Sequence, residues 1–328
     1  MENNEMIPET EETLSPVEEA TVSASPEMQG ELVKGVMHEQ NLAQVSTKQK
    51  VGKIVITTAL YLFLGLMALT VLFPFYWMLI SSVKTVSEYN QAVPTFFPKV
   101  IKWKNYMEAF TTGGLGNLFL NTTYVGLVST FLSLIITVLS AFAFARLEFK
   151  GKNTLFALLL ATMMIPGELF TITNYQTVSD FGWLNTYTVL IVPFLVSVFY
   201  IYLLKQNFMQ IPNELYLAAK VDGTTDLKYL WKVMIPLALP TLISITILKM
   251  MGAWNTYMWP RLVANDEAHQ LITNGLRSIT FTEDGTVGQP NIPVQMAAVA
   301  IVSAPLFLVF VFLRKYIMKG VSRSGIKG

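Results

Sequence analysis

Six long apolar segments are the feature that most constrains what this chain can fold into. Each approaches or exceeds the ~18–20 residues that an α-helix needs to cross the hydrocarbon core of a bilayer. The third segment is interrupted by Pro166-Gly167-Glu168. Together they predict an all-α membrane protein with six transmembrane helices, over residues 54–80, 118–145, 155–172, 187–204, 237–259 and 294–316.

The composition indicates the same class and excludes several others. The 328 residues are 52% hydrophobic and only 14% charged, whereas soluble domains are roughly 25% charged. The mean hydropathy is +0.47. A net charge of +1 leaves no basic surplus to neutralise nucleic acid phosphates. Because cysteine is absent, disulfides, thiolate metal sites and cysteine nucleophiles are excluded.

Sequence motifs for enzymatic chemistry are also missing. No Gly-x-x-x-x-Gly-Lys-Ser/Thr phosphate loop occurs, so the chain does not bind ATP by that device. No His-Glu-x-x-His motif occurs either, and the two histidines, His38 and His269, lie in a tail and a loop. We therefore predict a protein without enzymatic activity, resident cofactor or metal site.

The amino-terminal segment differs from the rest of the chain. Residues 1–47 contain ten glutamates against a single lysine, Lys34, and no aromatic residue. Such a segment cannot bury enough apolar surface to offset its ordering entropy. It also lacks the basic start and apolar core of a signal peptide. We interpret residues 1–50 as a disordered acidic cytoplasmic tail and residues 51–328 as the membrane domain.

Lysine and arginine predict the orientation of the spans. With the amino terminus inside, fifteen of these residues lie on cytoplasmic flanks and six lie outside. Both termini and the 205–236 loop are therefore predicted to be cytoplasmic, in a multi-pass protein of the plasma membrane. The first outer loop opposes this orientation, because it carries Lys84, Lys99, Lys102 and Lys104.

A polar stretch between spans four and five is predicted to form a short helix. Pro212 suits the first helical position, where its missing N–H costs nothing. Gly223 suits the far end, where the chain takes a left-handed conformation. The helix either docks on something outside the membrane or forms an ordinary surface loop. Small and apolar side chains share one of its faces: Leu215, Ala218 and Ala219, with Asp222 beside them.

Span five contains an ionisable residue, Lys249, which makes it a candidate for a transport path. Lys249 shares a helical stripe with Thr246, Ala253 and Thr256, which indicates a face turned to the bundle interior or to water. Alternatively, Lys249 pairs with a buried acid or a carbonyl for packing alone, and Glu168 is its obvious carboxylate partner. The indole of Trp254 is a candidate for stacking on sugar rings.

Several dispersed motifs occur together in the order typical of one family. The most specific is Glu214-Leu215-x-x-Ala218-Ala219-x-x-Asp222-Gly223, followed by Ile235-Pro236-Leu237 and Pro240. Other matches are Ser81-Ser82-Val83-Lys84, Asn105-Tyr106, Ala143-Phe144-Ala145-Arg146, Met164-Ile165-Pro166, Leu184-Asn185-Thr186-Tyr187, Trp254-Asn255 and Trp259-Pro260. On these motifs the chain from Tyr61 to Gly328 resembles a permease subunit of carbohydrate ABC importers, similar to the smaller permease of the maltose transporter.

The resemblance implies a mechanism and a set of partners. Two permeases pair in the membrane, two ATPase subunits bind ATP and Mg beneath them, and an extracellular sugar-binding protein delivers the carbohydrate. The short helix, the coupling helix of the "EAA" motif, docks in a cleft of an ATPase and transmits its closure to the spans. The implied docking residues are Glu214, Leu215, Leu217, Ala218, Ala219, Asp222 and Gly223.

One residue departs from the family's pattern. Leu217 stands where the motif has a glutamate before the two alanines. Either an apolar contact with the ATPase replaces the family's charge pair at this position, or the contact is lost. Glu214 partly substitutes for the missing carboxylate. Asp222 is expected to cap the helix or pair locally. The resemblance also implies that the outer segment 261–293 meets the binding protein, although a plain connecting loop fits its composition as well.

Two functions of other classes are alternatives. A gradient-driven secondary carrier would need paired repeats and intramembrane carboxylates, and Glu168 is the only carboxylate within a predicted span. A membrane scaffold for a partner complex would leave Lys249 and the broken third span without a role.

Overall fold

The computed structural model describes residues 26–279, 281–282 and 290–322, and this part of the chain is almost entirely helical. An isolated bridge between Thr282 and Pro290 is the only β-type pairing recorded in it. The α-helices in chain order are α1 (Pro26–Ser82), α2 (Val86–Tyr89), α3 (Lys104–Thr112), α4 (Leu115–Arg146), α5 (Lys152–Thr162), α6 (Thr171–Asp180), α7 (Tyr187–Ile191), α8 (Val198–Met209), α9 (Asn213–Val221), α10 (Asp226–Tyr229), α11 (Ile235–Leu237), α12 (Leu239–Asn255), α13 (Met258–Val263), α14 (Ile272–Ser278) and α15 (Ile292–Ser322).

By length and composition, the described helices provide three membrane spans, or six if each bent helix pair is one span. Three are unbroken and apolar enough to span a bilayer: residues 52–82, 115–146 and 292–314. The other three are bent helix pairs: 152–162 with 167–180, 187–194 with 198–209, and 226–237 with 239–255. The all-α membrane fold predicted from the sequence is confirmed.

The amino-terminal part differs from its prediction where it is described. Residues 1–25 lie outside the described residues, and from Pro26 the backbone is helical and continuous with the first span. The acidic run contains strong helix formers such as Glu, Gln, Met and Leu, so a helix that is nucleated in the apolar span can extend into it. The boundary at residue 50 stays a prediction. A compact unit with all later elements begins at Phe75, inside α1.

The breaks within the spans agree with the sequence prediction in span three and differ from it in span five. The break at Pro166-Gly167 is confirmed, because the two halves of span three meet at 82°. Span five, predicted as unbroken to residue 259, instead ends as α12 at Asn255, and Thr256 is extended with ψ 132°. Its start is bent by 80° near Ala238. Continuous hydrophobicity does not record such breaks, because apolar side chains continue on both sides of them.

Two clusters of buried side chains hold the bundle together around α12, which packs against α4, α8 and α15. We call the first the α9-end core, because α9 lies beside it, and the second the α14-end core. The α9-end core contains Val138, Ala141, Phe142, Leu204, Phe208, Ile211, Tyr229, Leu230, Met234, Ala238 and Ile245. The α14-end core contains Ala109, Leu115, Leu118, Trp254, Ile272, Phe281, Val294, Ala297, Ala298 and Val302.

Candidate coupling helix and transport cavity

Helix α9 has well-defined ends. Pro212 is its N-cap residue, with φ −54° and ψ 135°, one position earlier than predicted. At the other end Gly223 takes the left-handed conformation, φ +69°, as predicted. The amide of Thr224 donates to the carbonyl of Ala219 (2.8 Å) and that of Gly223 to Lys220 (3.0 Å). This pair of bonds is a Schellman motif, which satisfies carbonyls that a helix end otherwise leaves without partners.

Polar side chains connect α9 to α10. The carboxylate of Asp226 accepts hydrogen bonds from the Tyr216 hydroxyl (2.7 Å) and from the Lys220 amine (2.7 Å). The hydrogen bond with Asp226 raises the pKa of Lys220, and burial followed by the Asp226 bond raises the pKa of Tyr216. The Tyr216 ring also packs against Tyr229, with centroids 5.2 Å apart. We call Tyr216, Lys220 and Asp226 the α9 latch.

Arg146 binds the backbone where the chain passes from α8 to α9. It is the last residue of α4, and its Nη2 donates to the carbonyls of Phe208 (2.9 Å) and Ile211 (2.5 Å). Carbonyls at the C-terminal end of a helix have no intrahelical partner, and the helix dipole favours a cation there. One guanidinium therefore ties α4, α8 and the start of α9 together.

The outward face of α9 exposes apolar side chains in the part of the chain that the structure describes. Leu215 and Leu217 are about half exposed (45% and 55%), and Val221 is 88% exposed. Ala218 is exposed on the same side. Ala219 lies on the inner side instead, half-buried against the α9-end core. The remaining predicted coupling residues, Glu214, Asp222 and Gly223, are exposed.

A cavity of about 340 Å³ lies between α4, α7, α8 and α12. Lys249 projects into it, and its Nζ donates to the carbonyl of Phe194 (2.5 Å), where the fourth span breaks. Of the two partners considered for Lys249 in a packing role, an acid or a carbonyl, the structure has the carbonyl, and the amine also lines the cavity. The lining residues are Val125, Ser129, Leu190, Phe194, Val196, Ser197, Tyr200, Lys249, Gly252, Ala253 and Thr256.

The carboxyl-terminal part of the molecule, with α9 and most of the cavity lining, matches a known family. The sequence profile of the family described as "Binding-protein-dependent transport system inner membrane component" matches residues 133–323, more than half of the chain. The chain belongs to this family. It is therefore the membrane-spanning permease component of a transport system rather than an enzyme.

Full-length relatives of the permease agree with this assignment. The arabinooligosaccharides transport system permease protein AraQ of Halalkalibacterium halodurans is 29% identical over 264 residues, which cover 80% of this chain and 93% of AraQ. The polygalacturonan/rhamnogalacturonan transport system permease protein YtcP of Bacillus subtilis is 29% identical over 279 residues, 82% and 97% of the two chains. The sn-glycerol-3-phosphate transport system permease protein UgpE of Yersinia pestis is 26% identical over 262 residues, 78% and 92%.

A solved structure shares the permease's fold. It is the crystal structure of a bacterial ABC transporter involved in the import of the acidic polysaccharide alginate. One of its chains superposes with a TM-score of 0.74 at 24% sequence identity, covering 80% of this permease and 96% of that chain.

The structure brings only some of the predicted path residues of the permease together. Lys249 and Thr256 line the cavity, but the hydroxyl of Thr246 bonds back to the carbonyl of Leu242 (2.8 Å). Trp254 lies in the α14-end core, 8% exposed, where its Nε1 donates to the carbonyl of Val302 (3.3 Å). A buried indole has no free face for a sugar. Glu168 is exposed, and among the described residues no ion pair joins it to Lys249.

Three residues that position α9 were not identified from the sequence. Arg146 belongs to the Ala143-Phe144-Ala145-Arg146 motif, which assigns it no role, and no sequence motif pairs Tyr216 with Asp226. Ten residues separate Tyr216 from Asp226, so helical periodicity does not connect them. The available signal was the position of Arg146 at the end of a span, since a basic residue there commonly bonds free carbonyls.

Proposed function

We propose that this permease is one of two membrane subunits of an ATP-driven importer for a carbohydrate, and that α9 is its coupling helix. In this proposal two ATPase subunits bind ATP and Mg, and α9 docks in a cleft of one of them. An extracellular binding protein delivers the substrate. The relatives named for arabinooligosaccharides and for polygalacturonan and rhamnogalacturonan support a carbohydrate, whereas UgpE is named for sn-glycerol-3-phosphate.

The observation that carries the proposal is an exposed apolar face on a helix that is firmly held at its back. Leu215, Leu217 and Ala218 face outward. The latch connects α9 to α10, and Arg146 connects the segment before α9 to the ends of α4 and α8. A rigid element of this kind passes a displacement on to the spans attached to it. Small side chains such as Ala218 allow a partner to approach closely, and Leu217 gives the contact an apolar centre.

The substrate path is proposed to include the cavity beside Lys249. Ser129, Ser197 and Thr256 supply hydroxyl groups there, and Lys249 adds a cation; these are groups that bond sugar hydroxyls or carboxylates. The break in span four places the carbonyl of Phe194 in the same cavity. Non-helical backbone at membrane depth is tolerated only where it is buried in protein or lines such a cavity.

The proposed orientation has both termini and α9 in the cytoplasm. The excess of lysine and arginine on that side supports it, and an ATP-hydrolysing partner of α9 requires it. Because the chain has no cysteine, single cysteines can be introduced without a background. Glu148→Cys, at a side chain that is 90% exposed in the predicted cytoplasmic connection after α4, should react with an impermeant maleimide only after the membrane is opened, and reaction in intact cells would contradict the orientation.

The function is tested with the purified complex of this permease, its partner permease, the ATPases and the binding protein in vesicles. A matching oligosaccharide should stimulate ATP hydrolysis and enter the vesicles only when ATP is inside. A panel of neutral and uronic-acid oligosaccharides identifies the substrate. Transport that persisted without the ATPases would contradict the proposal and support a gradient-driven carrier. In the same assay Lys249→Met tests the path, because it should reduce uptake while leaving the complex assembled.

A further inference from the structure

The segment before α4 exposes an unusual number of apolar side chains. On α3, Trp103, Met107 and Phe110 are spaced at i, i+4 and i+7 and form one outward stripe, while Ala109 on the other face is buried in the α14-end core. A helix that faces water presents the reverse pattern. We call the exposed set the α3 rim: Val93, Phe97, Val100, Trp103, Met107 and Phe110, with Val93 the most exposed at 77% and Phe97 at 75%.

The chain brings this segment back to the last residues of α1, within the same compact unit. The hydroxyl of Tyr76 donates to the carbonyl of Phe96 (2.6 Å), and the Trp77 ring lies 6.1 Å from the Phe96 ring. Tyr76 lies six residues before Ser82, the end of α1, or about 9 Å along the helix at 1.5 Å per residue. Tyrosine and tryptophan at the end of a span mark the membrane–water interface. The rim therefore lies at the depth of the interface.

Buried polar contacts hold the segment in this place. Lys84, only 1% exposed, donates its amine to the carbonyl of Thr95 and lies over the Trp77 ring. Burial opposes ionisation of Glu88, but hydrogen bonds from the backbone amide of Lys99 (3.0 Å) and the hydroxyl of Thr95 (2.8 Å) more than offset it and lower its pKa. The segment is therefore a fixed surface.

Three lysines alternate with the apolar residues of the rim: Lys99, Lys102 and Lys104. Lysine beside tryptophan and aliphatic residues is typical of segments that lie in the interface, since the apolar groups enter the headgroup–acyl boundary and the amines stay with the headgroups. The same lysines opposed the predicted orientation. Bound to headgroups at the surface, they have a role that is separate from the orientation of the spans.

We propose that the α3 rim is a membrane-surface anchor, in which the apolar side chains insert into the interface next to the first span and the lysines bind anionic phospholipid headgroups. The occupant is lipid because the rim is continuous with a membrane span, lies at the level of its interfacial aromatic residues and combines apolar side chains with cations. A water-facing loop would lack the apolar side chains.

Spin labels on single cysteines measure this directly in the cysteine-free chain. The full-length chain, purified with the subunits that accompany it, carries Phe97→Cys or Val100→Cys and is reconstituted in vesicles of equal parts phosphatidylcholine and phosphatidylglycerol. Power saturation compares access of oxygen, which is enriched in lipid, with access of a water-soluble nickel complex. Leu66→Cys, within the first span, is the lipid reference. Glu148→Cys, beyond the end of α4 and away from the docking face of α9, is the water reference, because the Glu148 side chain is 90% exposed.

The expected oxygen-to-nickel ratio at positions 97 and 100 is severalfold above that at 148 and below that at 66. A ratio equal to that at 148 would overturn the anchor. Poor access of both reagents would also overturn it, because a protein partner would then cover the rim. Replacing phosphatidylglycerol with phosphatidylcholine should lower the ratio at 97, and no change would contradict the role of the lysines. None of these readouts depends on transport.

A label-free measurement serves as a second check. Trp103 is 69% exposed, so phospholipids brominated near the headgroup should quench part of the tryptophan fluorescence, and Trp103→Phe should remove that part. If the quenched fraction were the same with and without Trp103→Phe, the indole would not be in contact with lipid and the anchor would be wrong.

Discussion

Two regions of the permease expose apolar side chains in different settings, and the difference indicates what covers each. The outward face of α9 consists of aliphatic and small residues, Leu215, Leu217, Ala218 and Val221. The α3 rim is rich in aromatic residues and alternates with lysines. A protein cleft accepts small side chains and a close approach of helices, whereas the interface of a bilayer favours aromatic rings and snorkelling cations.

The two regions are alike in how they are held. In each, one cation at the end of a long helix donates to backbone carbonyls of the neighbouring segment: Arg146 to Phe208 and Ile211, and Lys84 to Thr95. The exposed surface varies with its partner, while the support beneath it uses the same chemistry. Substitutions can therefore address the supports and the surfaces separately.

The largest expected effects come from the supports. Arg146→Met should destabilise the permease by about 3 kcal/mol, because two carbonyls lose a charged donor. Lys84→Met should cost less, about 2 kcal/mol, since it removes one such bond. Thermal unfolding in detergent measures both. Arg261→Met, at an exposed position, is the control, and a loss as large as that of Arg146→Met would show that removing any cation destabilises the fold.

An arginine placed on the outward face of α9 and one placed on the α3 rim should have different effects. Ala218→Arg should reduce substrate-stimulated ATP hydrolysis roughly tenfold, because a cation in the centre of a packed contact is desolvated without a partner. Val100→Arg should change it by less than about twofold, since an arginine at a lipid interface extends its guanidinium to the headgroups. Equal losses would mean that both surfaces contact protein.

The general architecture could be predicted from the sequence because it depends on lengths of apolar runs. Six spans, the break at Pro166-Gly167 and the left-handed Gly223 follow from segment length and from the backbone preferences of proline and glycine. Those signals are local, so each can be recognised without knowledge of its neighbours.

The direction of individual side chains could not be predicted in the same way. Trp254 and Lys249 lie on one apolar helix, yet one enters the α14-end core and the other the cavity. In lipid-spanning helices both the buried and the exposed faces are apolar, so the hydrophobic pattern does not distinguish them. Ala219 packs inward against the α9-end core, on the side of α9 where Tyr216 bonds Asp226, and these contacts with distant residues leave no local pattern in the sequence.

A smaller effect is expected from restoring the family's charge on α9. Leu217→Glu should reduce uptake about fivefold, since a partner adapted to an apolar side chain leaves the carboxylate without a donor, at a cost of ~1 kcal/mol. Leu217→Met, which conserves volume, should retain most of the activity. If Leu217→Glu transported better than the unaltered permease, the ATPase would offer a basic group at this position and the apolar docking would be wrong.

The smallest effect is expected from the latch, because it lies at the surface. Tyr216→Phe removes the 2.7 Å bond to Asp226 but keeps the ring contact with Tyr229. The pair of Lys220 and Asp226 remains, and exposed ion pairs contribute about 0–1 kcal/mol. Folding should therefore change little, while α9 gains freedom to rotate and uptake per ATP hydrolysed falls about twofold.

Tyr202→Phe is the control, since its hydroxyl makes no hydrogen bond among the described residues and its ring stacks on Phe156. A loss of thermal stability without a change in the uptake-to-hydrolysis ratio would mean that the latch supports the fold and has no part in coupling.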